Sequence, residues 1–102
     1  MTEAQRGPAI ITVIGAGGKM GMRVSDNLAR SDYSVFYVEN SPAGVERVEN
    51  AGRAVSKATD SVSAADVVIF AVPDLALQEV TAELVTAMKE GAITLTLDPA
   101  AA

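Results

Sequence analysis

Four glycines in seven residues, Gly15-Ala16-Gly17-Gly18-Lys19-Met20-Gly21, give this chain a segment suited to holding a phosphate. Glycine lets the backbone turn sharply and approach a ligand closely. An anion held there meets the N–H groups and positive dipole end of any helix that opens behind the turn. The flanking residues supply that setting. The apolar run Ala9-Ile10-Ile11-Thr12-Val13-Ile14 precedes the turn, and a helical pattern from Lys19 to about Arg30 follows it. Strand, glycine turn and helix in that order form the arrangement that receives a dinucleotide pyrophosphate.

The spacing departs from the simplest fingerprint. Gly15 and Gly17 fit the first two positions of G-x-G-x-x-G, but the last falls on Met20. Gly21 fits G-x-G-x-x-x-G from Gly15 and Gly17, or G-x-x-G-x-x-G from Gly15, Gly18 and Gly21. In either reading one glycine turns the chain and one admits the phosphates. Gly21 lets the helix lie close to the sheet, at about 1 kcal/mol of helix propensity against Ala.

Glu39 stands 24 positions after Gly15, at the end of a second apolar run. An acidic residue there accepts hydrogen bonds from the adenosine ribose hydroxyls and repels a 2′-phosphate. Asn40 and Ser41 offer no cation, and the nearest arginine in sequence is Arg47. The expected cofactor is therefore NAD rather than NADP. Lys19 has two readings, an ammonium near the phosphates or a solvent-facing first-turn residue. By residue type Met20 is a gap-filling core side chain. Val72-Pro73-Asp74 ends another strand across the crevice, where backbone would line the nicotinamide half; Asp74 reads as a helix cap. Asp98, at the end of the last strand, faces the same side of the sheet and has two readings, a contact to substrate or cofactor or a turn before Pro99. With no His, no Cys and three lysines, Lys19, Lys57 and Lys89, no proton-transfer pair is evident. The chain is equipped to bind a cofactor and not to complete a reaction.

The elements that position these residues alternate. Val35–Val38 reads as a strand. Ser41-Pro42 reads as an N-cap with proline at the first helical position, and Val45 and Val48 as the apolar face of that helix, which Gly52 ends. A short strand, Arg53–Ser56, and a turn or single helical turn over Asp60–Ala65 come next. The continuously apolar Val67–Val72 suits a central parallel strand covered on both faces. Leu77, Val80, Leu84 and Met88 recur on one helical face, and Ala92–Leu97 forms the last strand. Alternation of this kind means a Rossmann-like α/β fold, a doubly wound parallel sheet of about five strands in the order 3-2-1-4-5. The sixth strand of the full fold is absent, so Ala92–Leu97 is an uncovered edge.

At 102 residues the chain makes one small domain, expected over residues 9–102 behind a disordered tail of residues 1–8. Hydrophobic content of 49% with 21% charged residues is that of a globular chain. A net charge of −5 argues against nucleic-acid or anionic-membrane partners. Without histidine or cysteine, imidazole catalysis, thiolate chemistry and the usual zinc sites are excluded. No run is long enough to span a bilayer and the amino terminus lacks a signal-peptide core, so a cytoplasmic protein is expected.

ITVIGAGGKMG, the Glu39 position, ADVVIFAVPD and GAITLTLD together resemble the amino-terminal domain of the 6-phosphogluconate and β-hydroxyacid dehydrogenase clan. Within it the chain is most similar to oxidoreductases of the apionate oxidoisomerase type, which share GAGGKMG and an LDPAAA-like ending. Prephenate dehydrogenases share the ADVVI-AVP pattern, and dihydrodipicolinate reductases the glycine segment alone. The resemblance implies NAD(P)-dependent hydride transfer at a hydroxyl carbon of a hydroxy or sugar acid. It implies cofactor contacts at Gly15, Gly17, Gly18, Met20 and Gly21, at Glu39, and at Val72 and Pro73; Ala16 and Lys19, within the same turn, complete the expected cofactor-binding residues. It also implies that the catalytic groups and dimer contacts lie in a further domain, so that this chain is the cofactor half of a larger homodimeric enzyme. A stand-alone nucleotide-sensing domain without turnover is the alternative reading.

Overall fold

The computed structural model describes residues 9–71, 84 and 86–96. Strand β1 (Ile10–Ile14) runs through the glycine turn into helix α1 (Lys19–Leu28). Strand β2 (Ser34–Val38), helix α2 (Pro42–Asn50) and helix α3 (Ala58–Ala64) follow, then strands β3 (Val67–Phe70) and β4 (Ile93–Thr96). All four strands are parallel, in the order β2-β1-β3-β4. The two strands with near-continuous burial, β1 and β3, are the inner pair.

Alternation along the strands divides the core into two layers. Ile14, Val38, Val68 and Phe70 point to one face, where Val62 and Ala65 of the α3 segment and Leu84 cover them. Val13 and Ala71 point to the other, against Val48 of α2, with Met20, Val24 and Leu28 of α1 packed alongside. Burial of a side chain such as Val13, Val48 or Phe70 contributes about 1.5–3 kcal/mol. Helices on both faces of a parallel sheet make the doubly wound fold expected from the sequence.

The expected third strand is smaller than its sequence suggests, and the sheet has four strands rather than about five. Val55 makes a single parallel bridge to Tyr37, on the outer side of β2, so the spatial order agrees with 3-2-1-4-5. Its neighbours are otherwise engaged. The Arg53 N–H donates to the Val48 carbonyl at 3.1 Å, and Lys57 is already the N-cap of α3. Helix α3, seven residues long, extends the turn or single helical turn expected over Asp60–Ala65. Its Thr, Asp, Ser and Val have modest helix propensity. Tertiary contacts hold it: Val62 is fully buried, and the Thr12 hydroxyl donates to the Ser61 carbonyl at 2.8 Å.

Asp66 ties the amino-terminal edge of the sheet together. Its carboxylate accepts from the Ile10 N–H at 2.8 Å and from Lys89 Nζ at 2.6 Å. Strand β4 is exposed along its length, Ile93 and Leu95 included, in line with the uncovered edge expected from the sequence. Leu84 and Met88 face the core as their spacing suggests. The tail of residues 1–8, Val72, Pro73, Asp74, Leu77, Val80 and Asp98 lie outside the described residues. No helix among the described residues is long and apolar enough to cross a membrane.

Candidate functional site

The carboxyl ends of β1, β2 and β3 bring the glycine turn, Glu39 and Ala71 to one edge of the sheet. Gly15 leaves β1 at φ +82°, a left-handed conformation that favours glycine. The N–H groups of Gly15 and Ala16 both donate to the Val38 carbonyl, at 2.9 and 3.0 Å, fastening the turn to the end of β2. The Gly18 N–H closes the turn on the Gly15 carbonyl at 3.1 Å.

Helix α1 then opens with Gly18 as N-cap. No side chain caps it and no acidic residue occupies its first turn. The N–H groups of Lys19, Met20 and Gly21 are therefore left for an outside acceptor, at the positive end of the helix dipole. Gly21 must be glycine for this geometry, because a Cβ there would lie 1.9 Å from the Gly15 oxygen. Lys19 is exposed beside this edge. Met20 packs against the Val13, Ala16 and Val48 cluster, as its residue type suggests.

Glu39 is woven into the turn. Its Oε1 accepts from the Gly17 N–H at 2.8 Å, while its Oε2 accepts from the Ser41 N–H at 3.1 Å and the Ser41 hydroxyl at 2.9 Å. The Ser41 hydroxyl in turn accepts from the Gly44 N–H at 3.0 Å, which caps α2 as the Ser41-Pro42 signature predicts. Arg47 Nε completes the arrangement by donating to the Gly17 carbonyl at 2.5 Å. Gly17 is thus held on both sides, by a carboxylate at its N–H in the Ala16–Gly17 peptide and by a guanidinium at its carbonyl in the Gly17–Gly18 peptide.

Two residues of this arrangement escape a reading of the sequence. Gly44 looks like a weak point in α2, yet a Cβ there would lie 2.3 Å from Glu39 Cδ. Arg47 registers in sequence only as the nearest arginine, eight positions after Glu39, and it proves to touch the turn. Gly17 also differs from expectation. It is buried against α2, with a Cβ at that position 2.2 Å from the Gly44 oxygen, so its lack of a side chain serves packing. Val72 and Pro73, expected near the nicotinamide, lie outside the described residues.

The residues present suit a dinucleotide. A carboxylate that accepts hydrogen bonds stands at the end of β2, and an uncapped helix start stands at the end of β1. These are the partners of a ribose diol and a pyrophosphate. Fold and site together define a dinucleotide-binding domain at the switch point of a doubly wound sheet. The chain belongs to the family of the NAD-binding domain of 6-phosphogluconate dehydrogenase, whose model matches residues 10–98.

Relatives narrow the setting. The chain is 59% identical over 92 residues to D-apionate oxidoisomerase of Pectobacterium atrosepticum, a match covering 90% of this chain and 32% of that enzyme. It is 40% identical over 98 residues to the enzyme of the same name from Blautia hydrogenotrophica, covering 94% of this chain and 34% of the relative. The chain therefore spans about a third of the length of these relatives. Among solved structures, a semialdehyde dehydrogenase NAD-binding protein from Cupriavidus necator in complex with calcium and NAD superposes with TM-score 0.84. Its identity is 38%, over 91% of this chain and 34% of that one. The 3-hydroxyisobutyrate dehydrogenase of Mycobacterium tuberculosis shares the fold with TM-score 0.77 at 23% identity, over 87% of this chain and 31% of that one.

Proposed function

We propose that this domain is the cofactor-binding half of an NAD-dependent oxidoreductase that oxidises or reduces a hydroxy or sugar acid of the apionate kind. Glu39 carries the reading, because its carboxylate reaches the Gly17 N–H at 2.8 Å and so stands between the end of β2 and the glycine turn. In the bound state Glu39 accepts from the adenosine ribose diol. Gly15, Ala16, Gly17 and Gly18 form the wall along the pyrophosphate, and the N–H groups of Lys19, Met20 and Gly21 donate to its oxygens. Bound NAD supplies the hydride acceptor, and NADH the donor. The protein's part here is to hold the cofactor in one orientation at the carboxyl edge of the sheet.

Catalytic groups and dimer contacts are assigned to a further domain that works with this one, in keeping with relatives about three times its length. A cytoplasmic location is part of the same proposal and fits a domain that uses NAD. Calorimetric titration with NADH and NADPH tests the cofactor reading. Tighter binding of NADH supports it, and a folded protein that binds neither, or prefers NADPH, overturns it. The resemblance to D-apionate oxidoisomerases favours the enzyme reading over a stand-alone sensor.

A further inference from the structure

We propose that Arg47 is a positioning residue for the cofactor pyrophosphate. By holding the Gly17 carbonyl on the α2 side, it stops α1 from extending by one residue and leaves the Gly21 N–H for a phosphate oxygen. The inference rests on the reading of the glycine turn as the pyrophosphate wall.

Arg47 lies in the last turn of α2, where a cation suits the negative end of the helix dipole. That role needs only the charge. The side chain is placed more specifically than that. It is exposed and makes no ion pair among the described residues, yet it donates through Nε to a backbone carbonyl 30 positions away at 2.5 Å. Fixing a long exposed side chain loses conformational entropy, which a charge-assisted hydrogen bond offsets.

The carbonyl it holds sits at a decisive place in the chain. Gly17–Gly18 is the peptide that leads into the N-cap of α1, and neither of its residues has a Cβ to restrain it. The Gly18 N–H is fixed on the Gly15 carbonyl at 3.1 Å, and among the described residues Arg47 is the hydrogen-bond partner of the Gly17 carbonyl. In a helix each carbonyl accepts from the N–H four residues on, so one further residue of α1 would give the Gly17 carbonyl to the Gly21 N–H. The first such bond is instead that of the Met22 N–H to the Gly18 carbonyl, at 2.8 Å. With Arg47 on the Gly17 carbonyl and Glu39 on the Gly17 N–H, the peptides on both sides of Gly17 are set before any ligand arrives. The start of α1 then presents donors with no backbone oxygen competing for them.

The affinities of ADP-ribose and adenosine are to be measured by NMR titration for the unaltered protein, Arg47→Met, Arg47→Gln and Arg47→Lys, each checked for folding by thermal melting. Arg47→Gln sets a neutral N–H at the same place along the side chain as Nε. Arg47→Lys keeps the charge but sets a methylene there, and Arg47→Met removes donor and charge together. Arg47→Met should weaken ADP-ribose by about tenfold and leave adenosine, which carries no phosphate, nearly unchanged. Arg47→Gln should stay within about threefold of the unaltered protein, and Arg47→Lys should lose more than Arg47→Gln. The role of Arg47 is overturned by an Arg47→Met variant that binds ADP-ribose as the unaltered protein does, or by an equal loss for adenosine. It is overturned too if Arg47→Gln is as weak as Arg47→Met, or weaker than Arg47→Lys, which would make charge the agent. An unaltered protein that binds ADP-ribose no tighter than adenosine would overturn the pyrophosphate reading itself, and the inference with it.

Discussion

Gly17 and Gly44 meet backbone to backbone. A Cβ on Gly17 would lie 2.2 Å from the Gly44 oxygen and 2.6 Å from its Cα. The glycine turn is thus seated directly on the first turn of α2, and the cofactor edge is a joint between two elements.

That joint predicts that Gly17→Ala will cost stability as well as binding. The contact is backbone on backbone, so neither side can yield by a rotamer change. Overpacking of this kind costs about 1–3 kcal/mol. Denaturant unfolding should show that loss together with loss of NADH binding at ambient temperature. Unchanged stability would mean that α2 does not pack against the turn.

Gly18→Ala is expected to separate ligand from fold. A Cβ there meets the Gly15 oxygen at 3.5 Å, an ordinary contact, and the residue has φ −77°. Stability should stay within about 0.5 kcal/mol of the parent protein. NADH affinity should fall, because the methyl is added to the proposed pyrophosphate wall. Equal affinity would remove Gly18 from the pyrophosphate wall.

Gly44→Ala should act at a distance on cofactor choice. Its Cβ would press on Glu39 Cγ and Cδ at 2.5 and 2.3 Å, and that side chain can swing away. Ala also gains about 1 kcal/mol of helix propensity over Gly, which offsets part of the strain. The melting temperature should change little while preference for NADH over NADPH declines. A preference equal to the parent's would show that Glu39 keeps its station without Gly44.

Asp66→Ala tests the opposite edge of the sheet. It removes the acceptor of the Ile10 N–H and the partner of Lys89. Leaving the part-buried N–H unpaired costs about 1–3 kcal/mol, while the half-exposed ion pair adds little. Unfolding midpoints should fall, with NADH affinity of the folded protein unchanged. A large affinity loss would place Asp66 in communication with the site.

Much of this was legible in the chain. The glycine turn, the Ser41-Pro42 start of α2 and the buried β3 each announce themselves through local residue types. Local chemistry says less about α3, whose polar residues become helical only because Val62 and Ser61 dock on β1 and its neighbours. It says nothing of Gly44 or of the bond from Arg47 to Gly17, which spans 30 positions. Both depend on where α2 comes to rest, a property of packing rather than of the segment itself. The strand expected at Arg53–Ser56 shrinks to one bridge for a similar reason, since Arg53 bonds back to α2.

The most direct measurement is a backbone amide NMR titration of the protein with NADH. The account predicts that the amide signals of Gly17, Lys19, Met20 and Gly21 shift most, together with that of Ser41 beside Glu39, while Thr94 in β4 and Asp66 at the far edge stay nearly still. Shifts concentrated away from the glycine turn, or none in a folded sample at saturating NADH, would contradict it.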